Sequence, residues 1–327
     1  MLVTGGAGYI GSHAVKALRQ AGYRPVIYDN LSAGHREAAL GVEIIEGDIA
    51  DVATVRRALR DTGASAVMHF AAWLAVADSV RDPIGYYRNN VVGTLGTLEA
   101  MAAERCTAFI FSSTCATYGE PVDVPIRETH PNAPINAYGQ TKLAVEQALP
   151  HFERAHGMRS ICLRYFNAAG ADPDGELGED HAPEVHLIPR AFEAASGGAA
   201  LDIWGDDYPT PDGTCLRDYV HVTDLADAHV RALGHLRSGG ASTTFIVGSE
   251  RPSSVREVVA AVERVTGRTV ARRSGPRRPG DPTTLYASAA RVRDALGWTP
   301  RYPELDTIVS HAWRWHETRQ ASGRQGA

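Results

Sequence analysis

A glycine loop near the start of the chain narrows the possible folds more than any other stretch. Thr4-Gly5-Gly6-Ala7-Gly8-Tyr9-Ile10-Gly11 follows a short run, Leu2–Thr4, and leads into helical apolar spacing over Ser12–Ala21. Gly5, Gly8 and Gly11 stand where a strand–turn–helix unit needs a tight turn, close approach to a pyrophosphate, and close helix–sheet packing. The helix N-terminus then presents unpaired amides to the phosphates. Context strengthens the reading, because Asp29 ends the next strand. An acid there can accept both ribose hydroxyls of NAD and repels the extra phosphate of NADP. A structural loop with a chance acid is the plainer reading. Gly47-Asp48-Ile49 closes a third strand, where an adenine ring would lie. Asp48 could accept from the adenine amino group, and equally fits a helix N-cap.

Further strand-like runs are Arg24–Tyr28, Val42–Glu46, Ala66–Phe70, Ala108–Ser112 and Ser160–Arg164. Helical patterns separate them at Val52–Leu59, Gly93–Ala103 and Lys142–Ala155. Repeated β-α-β units predict an α/β fold, a Rossmann-type doubly wound parallel sheet with helices on both faces. After Asn167 the texture changes. Ala171–Pro183 and Gly205–Thr214 read as loops, with helical candidates at His186–Ala195 and Ser254–Thr266. We expect an NAD-binding domain over residues 1–169 and a smaller C-terminal substrate-binding domain over 170–327. A strand near 245–248 is expected to rejoin the first sheet, and the polar tail at about 321–327 to be disordered.

A formal charge of −5 argues against a nucleic-acid or anionic-membrane partner. The basic group Arg272, Arg273, Arg277 and Arg278 reads as a solvated face, with Arg278 also a candidate ligand contact. Cys106, Cys115, Cys162 and Cys215 are scattered and form no CxxC pair, so neither a disulfide nor a metal site is expected and a reducing cytoplasm fits. No basic stretch leads into an apolar run at the N-terminus, and no run approaches a membrane span.

Tyr138-Gly139-Gln140-Thr141-Lys142 puts a phenol and an ammonium on one face of a helix. A free phenol has a pKa of about 10 and is a poor base at neutral pH. A nearby ammonium and a positive nicotinamide ring both favour phenolate. Such pairs recur by chance, but this one follows Phe111-Ser112-Ser113-Thr114, a strand ending in hydroxyls at the sheet edge where open α/β folds bind ligands.

At these residues the chain resembles the extended short-chain dehydrogenase/reductases, and among them the UDP-glucose (UDP-galactose) 4-epimerases. The likeness runs nearly end to end, through Val3–His13, Asp29-Asn30-Leu31, Phe70-Ala71-Ala72, Tyr86–Thr94, Phe111–Gly119, Leu163–Gly170, Gly205–Asp224 and Pro279-Gly280-Asp281. Arg164-Tyr165-Phe166-Asn167 and Asp212-Gly213-Thr214-Cys215-Leu216-Arg217-Asp218-Tyr219 are its most specific parts. The resemblance implies that Tyr138 takes the proton from the sugar 4-hydroxyl, Thr114 hydrogen-bonds that oxygen, and Lys142 tunes the tyrosine. It implies NAD held by the glycine loop with Tyr9 and Ile10, by Asp29, Asn30, Asp48 and Ile49, and by Phe70, Ala71 and Ala72. Asn89 and Phe166 would line the same cofactor. Asn167 would hold the sugar-nucleotide phosphate, and His186, Leu187, Trp204, Arg217, Arg278 and Asp281 would form the uridine diphosphate pocket. Arginine suits that task through its paired donors. A surface ion pair is the plainer reading of Arg217 and Arg278.

The implied chemistry inverts carbon 4 of a UDP-sugar through a transient 4-keto sugar, with the nucleotide anchored while the sugar turns. A homodimer, paired through Gly93–Ala103 and Tyr138–Ala155, is implied by the same analogy. The sequence departs from the family at Leu74, where some members carry a lysine, and at His186, where many carry an asparagine. Trp73 reads as a pocket wall or core residue. The resemblance places Leu285 on the sugar-pocket wall, where its small size would leave room for an N-acetyl group. A nucleotide-sugar dehydratase would need an Asp-Glu pair after Thr114, where Cys115 and Ala116 stand. The sequence also leaves open a UDP-xylose/UDP-arabinose 4-epimerase and a non-catalytic NAD-binding regulator.

Overall fold

Neighbouring residues of each central strand enter opposite apolar layers. Leu2, Val67, Phe109 and Phe111 enter one; Val3, Met68 and Ile110 enter the other. Period-two alternation with both faces buried is what a parallel sheet covered by crossover helices requires. The computed structural model describes residues 1–278 and 281–321. Its first half runs β1 (Leu2–Thr4), α1 (Tyr9–Gln20), β2 (Val26–Asp29), β3 (Ile44–Glu46), α2 (Val52–Thr62) and β4 (Ala66–His69). Short helices α3 (Val76–Arg81) and α4 (Pro83–Tyr86) pass through a π-helical turn (Tyr87–Val92) into α5 (Gly93–Ala103). Then come β5 (Ala108–Ser112), α6 (Ala137–His156), β6 (Arg159–Arg164) and β7 (Asn167–Ala169).

The second half runs α7 (Leu187–Ala195), β8 (Leu201–Trp204), β9 (Leu216–His221), α8 (Val222–Arg237), β10 (Thr243–Ile246) and β11 (Pro252–Ser254). It closes with α9 (Val255–Thr266), β12 (Arg272–Gly275), β13 (Thr284–Leu285), α10 (Ala290–Leu296) and α11 (Leu305–Ala321).

Seven parallel strands pair in the order β10-β6-β5-β4-β1-β2-β3. The doubly wound Rossmann sheet read from the sequence is therefore present. Its order reverses between β1 and β4, the topological switch point where such sheets bind ligands. Thr4 is level with Tyr28 and His69, His69 with Phe111, Ser112 with Leu163, and Arg164 with Ile246. The strands thus end along one edge. From that edge β7 runs directly on from β6 to pair with β9, whose other neighbours are β11 and β13. Helices α7, α9 and α11 enclose a separate apolar cluster around Phe192, Val258, Val262, Ile308 and Trp313.

No helix among the described residues is long and apolar enough to cross a membrane. Ala321 ends α11 rather than belonging to a tail. The rest of the expected tail, and Pro279-Gly280 of the family-like motif, lie outside the described residues.

Candidate active site

The glycine loop lies at the switch point because only glycine fits there. Gly5 has φ +70°, and a Cβ on it would come within 2.5 Å of the Ala71 amide. A Cβ on Gly11 would come within 2.1 Å of the Gly5 carbonyl. Backbone therefore packs on backbone between the loops after β1 and β4, where Phe70 and Ala71 amides both donate to the Thr4 carbonyl. Gly8 caps α1 with no side-chain bond, which leaves the first amides of that helix open to an anion. By contrast Asp51 caps α2 and Asn136 caps α6. Asp29 is buried, and its two oxygens accept from Ala7 N and Leu31 N, each at 2.9 Å. Those bonds fix the carboxylate, and each oxygen keeps capacity for one more donor. Loop, uncapped helix and oriented acid fit the diphosphate and ribose of a dinucleotide.

The remaining residues expected to meet the cofactor surround this cradle. Tyr9 donates its hydroxyl to the Gly170 carbonyl at 2.7 Å, tying the loop to the segment after β7. Ile10 packs against the core layer beneath. Asn30 donates to Asp48 at 2.9 Å across the ends of β2 and β3. Asp48 also accepts from Ala50 N, and the N-cap of α2 is Asp51, so the helix-cap reading of Asp48 does not hold. Ile49 is buried under Gly93. Ala72 is half-buried beside Ala71. Asn89 donates to Asn90, which grips Trp73 through both its backbone amide and its carbonyl. That grip holds the π-helical turn against the segment after β4, and π-turns of this kind recur at functional sites. Trp73 is 45% exposed and packs edge-on against Tyr86, so it is not a core residue; Leu74 is also exposed.

Thr114 and Tyr138 meet because α6 starts hard against the turn that follows β5. A Cβ on Gly139 would lie 2.5 Å from the Ala116 carbonyl, so glycine permits this approach. Burial pushes the Tyr138 phenol up to about 12, with a hydrogen bond to Thr114 acting in the opposite direction. Lys142, one turn on, is buried and donates to the Ser112 carbonyl at 2.8 Å. Burial lowers its ammonium to about 7, against the pull of Glu146. Cys115 is buried with its thiol pushed well up by burial, as a packed small residue rather than a nucleophile.

Glu146, a further turn along α6, is a residue of the site that the sequence does not single out. It accepts from Ser113 Oγ and forms a buried ion pair with Arg164, whose guanidinium lies over the Tyr118 ring. Ser112 hydrogen-bonds the Tyr165 hydroxyl. Helix α6 is thereby bolted to the ends of β5 and β6. The spacing Tyr138, Lys142, Glu146 carries the available signal, since each step is one helical turn.

The residues expected at the substrate lie on β7, β8, β9 and β13, at the start of α7, and in the loop that follows β12. Asn167 donates to the Asp218 carbonyl at 2.9 Å. Asp218 is wholly buried and holds Ser249 through its amide at 2.8 Å and its hydroxyl at 2.6 Å. Arg217 is paired with Asp281, largely buried rather than on the surface. Leu285 is level with Arg217 and packs, with Phe166, on a cluster containing Cys115 and Tyr118. Arg278 lies over the Trp204 ring, 5.2 Å from its centroid. Its neighbours Arg272, Arg273 and Arg277 are paired with Glu263, Asp202 and Asp207 on the surface. Leu187 opens α7, and His186 precedes it beside Glu179 and Glu184. Burial lowers the His186 imidazole, but those carboxylates outweigh it and raise the group to about 10.

Residues 1–248 match the NAD dependent epimerase/dehydratase family. A UDP-glucose 4-epimerase of Rhizobium leguminosarum bv. trifolii is 50% identical over 97% of each chain. The crystal structure of UDP-glucose 4-epimerase from Brucella ovis in complex with NAD is 51% identical, with a TM-score of 0.94 over 96% of this chain and 97% of that one. That of the Bifidobacterium longum enzyme in complex with NAD+ and UDP is 35% identical, with a TM-score of 0.92 over 98% of each.

Proposed function

The chain belongs to the NAD dependent epimerase/dehydratase family, and on that premise we propose that it interconverts UDP-glucose and UDP-galactose. The observation that carries this reading is the meeting of Thr114 and Tyr138, with Lys142 one turn away, beside a dinucleotide cradle. NAD, held by the glycine loop and Asp29, supplies the means to oxidise carbon 4 and reduce it again. Tyr138 takes the 4-hydroxyl proton, Thr114 orients that oxygen, and both serve again when the 4-keto sugar is reduced on its other face. The 4-oxygen gives its proton to Tyr138 and later regains it, and the hydrogen that leaves one face of carbon 4 returns to the other, so the sugar must turn while its diphosphate stays fixed. Arg217, Arg278 and Asn167 are assigned that anchoring, and Leu285 the wall beside carbon 2.

In this reading residues 1–169, with β10, carry the cofactor, and residues from 170 onward carry the nucleotide sugar. Helices α5 and α6 pair two copies; Val92, 60% exposed before α5, and Ile135, 52% exposed before α6, leave apolar surface there. The four free, buried cysteines suit the cytoplasm. Incubation with UDP-galactose, followed by NMR of the products, tests the activity. UDP-glucose should form without added cofactor, and denaturation should release NAD. Dehydrated sugar as product, or no turnover, contradicts the proposal.

A further inference from the structure

Tyr138 and Lys142 lie one turn apart on α6, so the two groups do not lose protons independently. Between them they hold two protons that can leave, the phenol's and one of the ammonium's. Loss of one to water leaves either a phenolate beside an ammonium or a phenol beside an amine. The two states carry the same number of protons, but only the first has a base at Tyr138. They differ in where charge sits, so a fixed charge closer to one member decides between them.

Glu146 is placed to be that charge. It follows Lys142 by one turn and Tyr138 by two, on the same helix face. Four residues of helix rise about 6 Å, which sets Glu146 about 6 Å along the axis from Lys142 and about 12 Å from Tyr138. We propose that Glu146 is a positioning residue that decides which of the pair keeps the remaining proton, holding it on Lys142 and leaving Tyr138 as the phenolate. The proposal rests on the role given above to Tyr138.

The carboxylate is fixed and kept ionised by its donors. Oε1 accepts from Ser113 Oγ and from Arg164 Nε, the latter at 3.0 Å. Oε2 accepts from Arg164 Nε at 3.2 Å and from Nη2. Only 6% of the Glu146 side chain is exposed, so water and salt screen it little. Arg164 balances its charge in sum, but the carboxylate is the member of the pair that α6 carries. Burial lowers the Lys142 ammonium, and Glu146 raises it again.

The other titratable groups around the pair are neutral or already matched. Burial, then the Lys142 charge, lowers His69 on β4 to about 3. Burial raises the thiols of Cys115, after β5, and Cys162, on β6. It likewise raises the Tyr165 phenol beyond β6 and, to about 12, the Tyr86 phenol on α4. Asp78 on α3 is paired with Arg81. The ammonium itself meets the neutral Ser112 carbonyl and the Phe111 ring. Among the described residues, this leaves Glu146 as the negative charge acting on the lysine.

The test reads phenolate directly, by ultraviolet difference absorbance through neutral pH on the full chain with its bound NAD. Subtracting the spectrum of Tyr138→Phe isolates the Tyr138 signal. Two variants are compared: Glu146→Gln, and Glu146→Gln with Arg164→Gln, which strands no buried charge. In each, the Tyr138 phenolate should fall at least about threefold. Coulomb energies at about 6 and 12 Å, in an effective dielectric constant of about 20, differ by about tenfold in population before Arg164 is counted. Turnover of UDP-galactose should fall by the same factor in kcat with KM unchanged, a split that general loosening of the site does not give. Undiminished phenolate in either folded variant overturns the inference, as does a wild type whose Tyr138 ionises only at strongly alkaline pH. A wild type that forms the phenolate yet turns over no UDP-galactose refutes the proposed function instead, and the phenolate amplitudes still decide the role of Glu146.

Discussion

Lys142 Nζ donates to the carbonyl of Ser112 across 2.8 Å, and only 4% of the lysine is exposed. The ammonium therefore binds the end of β5 as well as standing one turn from Tyr138. Burial brings it down to about 7 and drives the phenol up to about 12. A positive charge brought into the site favours the phenolate, which couples the base to the cofactor's charge state.

Tyr138→Phe keeps the ring and removes the ionisable oxygen. NAD content and melting temperature should stay close to wild type, while turnover falls by at least about 10²–10⁴-fold, the usual worth of a general base. Steady-state rates with UDP-galactose, beside the nucleotide released on denaturation, check this. A near-normal rate contradicts the role given to Tyr138.

Glu146→Ala tests the bolt behind the base. The Glu146 and Arg164 side chains are 6% and 5% exposed, so the substitution strands a buried guanidinium. Breaking such a pair costs about 3–5 kcal/mol. Urea unfolding should show a loss of that order; a loss below about 1 kcal/mol would mean that the pair is solvated in solution.

Stability should fall as pH drops from 6.5 to 5. Burial lowers His13 and His229 to about 4, and His69 and His221 to about 3, against 6.5 for the free side chain. Folded pKa values below unfolded ones mean that the unfolded chain binds more protons between them, so stability rises with pH there. Their contribution is complete above 6.5 and lost as pH falls through 4 to 3. Asp218 and Asp224, raised by burial, oppose this but are fewer. The contribution of His186, raised to about 10, is already complete at 6.5. The urea midpoint should be lower at pH 5 than at pH 6.5; an equal or higher midpoint contradicts neutral buried histidines.

The central sheet is legible in the sequence because its strands carry their own signal. Val67-Met68 and Phe109-Ile110-Phe111 are apolar on both faces, and glycine spacing marks the turn after β1. Strand β9 is not legible. Arg217, Asp218 and His221 interrupt its pattern, and their partners Asp281, Ser249 and His311 lie 31 or more residues away in sequence. Helices α3 and α4, six and four residues long, are too short to show a period. At the site, Tyr138 and Lys142 can be found because both lie on one helix. For Glu146 only the helical spacing is legible, because its role depends on Arg164 and Ser113, which the fold brings to it.

Leu285→Tyr tests sugar selectivity. Leu285 packs with Phe166 on the cluster that contains Cys115 and Tyr118, and Cys115 directly follows Thr114 in the chain. Wild type should accept UDP-GlcNAc as well as UDP-glucose. Overpacking costs about 1–3 kcal/mol, or roughly 5–150-fold in rate. That loss should fall on the N-acetyl sugar and spare the plain hexose. No UDP-GlcNAc turnover in wild type, or equal losses for both sugars, contradicts the steric role of Leu285.

The most direct measurement follows the hydrogen at carbon 4. UDP-galactose carrying deuterium there is converted in ordinary water, and the UDP-glucose formed is read by NMR. Oxidation and reduction at one carbon within a closed site keep that hydrogen out of the solvent, whereas inversion by deprotonating carbon exchanges it with water. The account predicts UDP-glucose with its deuterium retained at carbon 4. Product that has lost deuterium to solvent would contradict it.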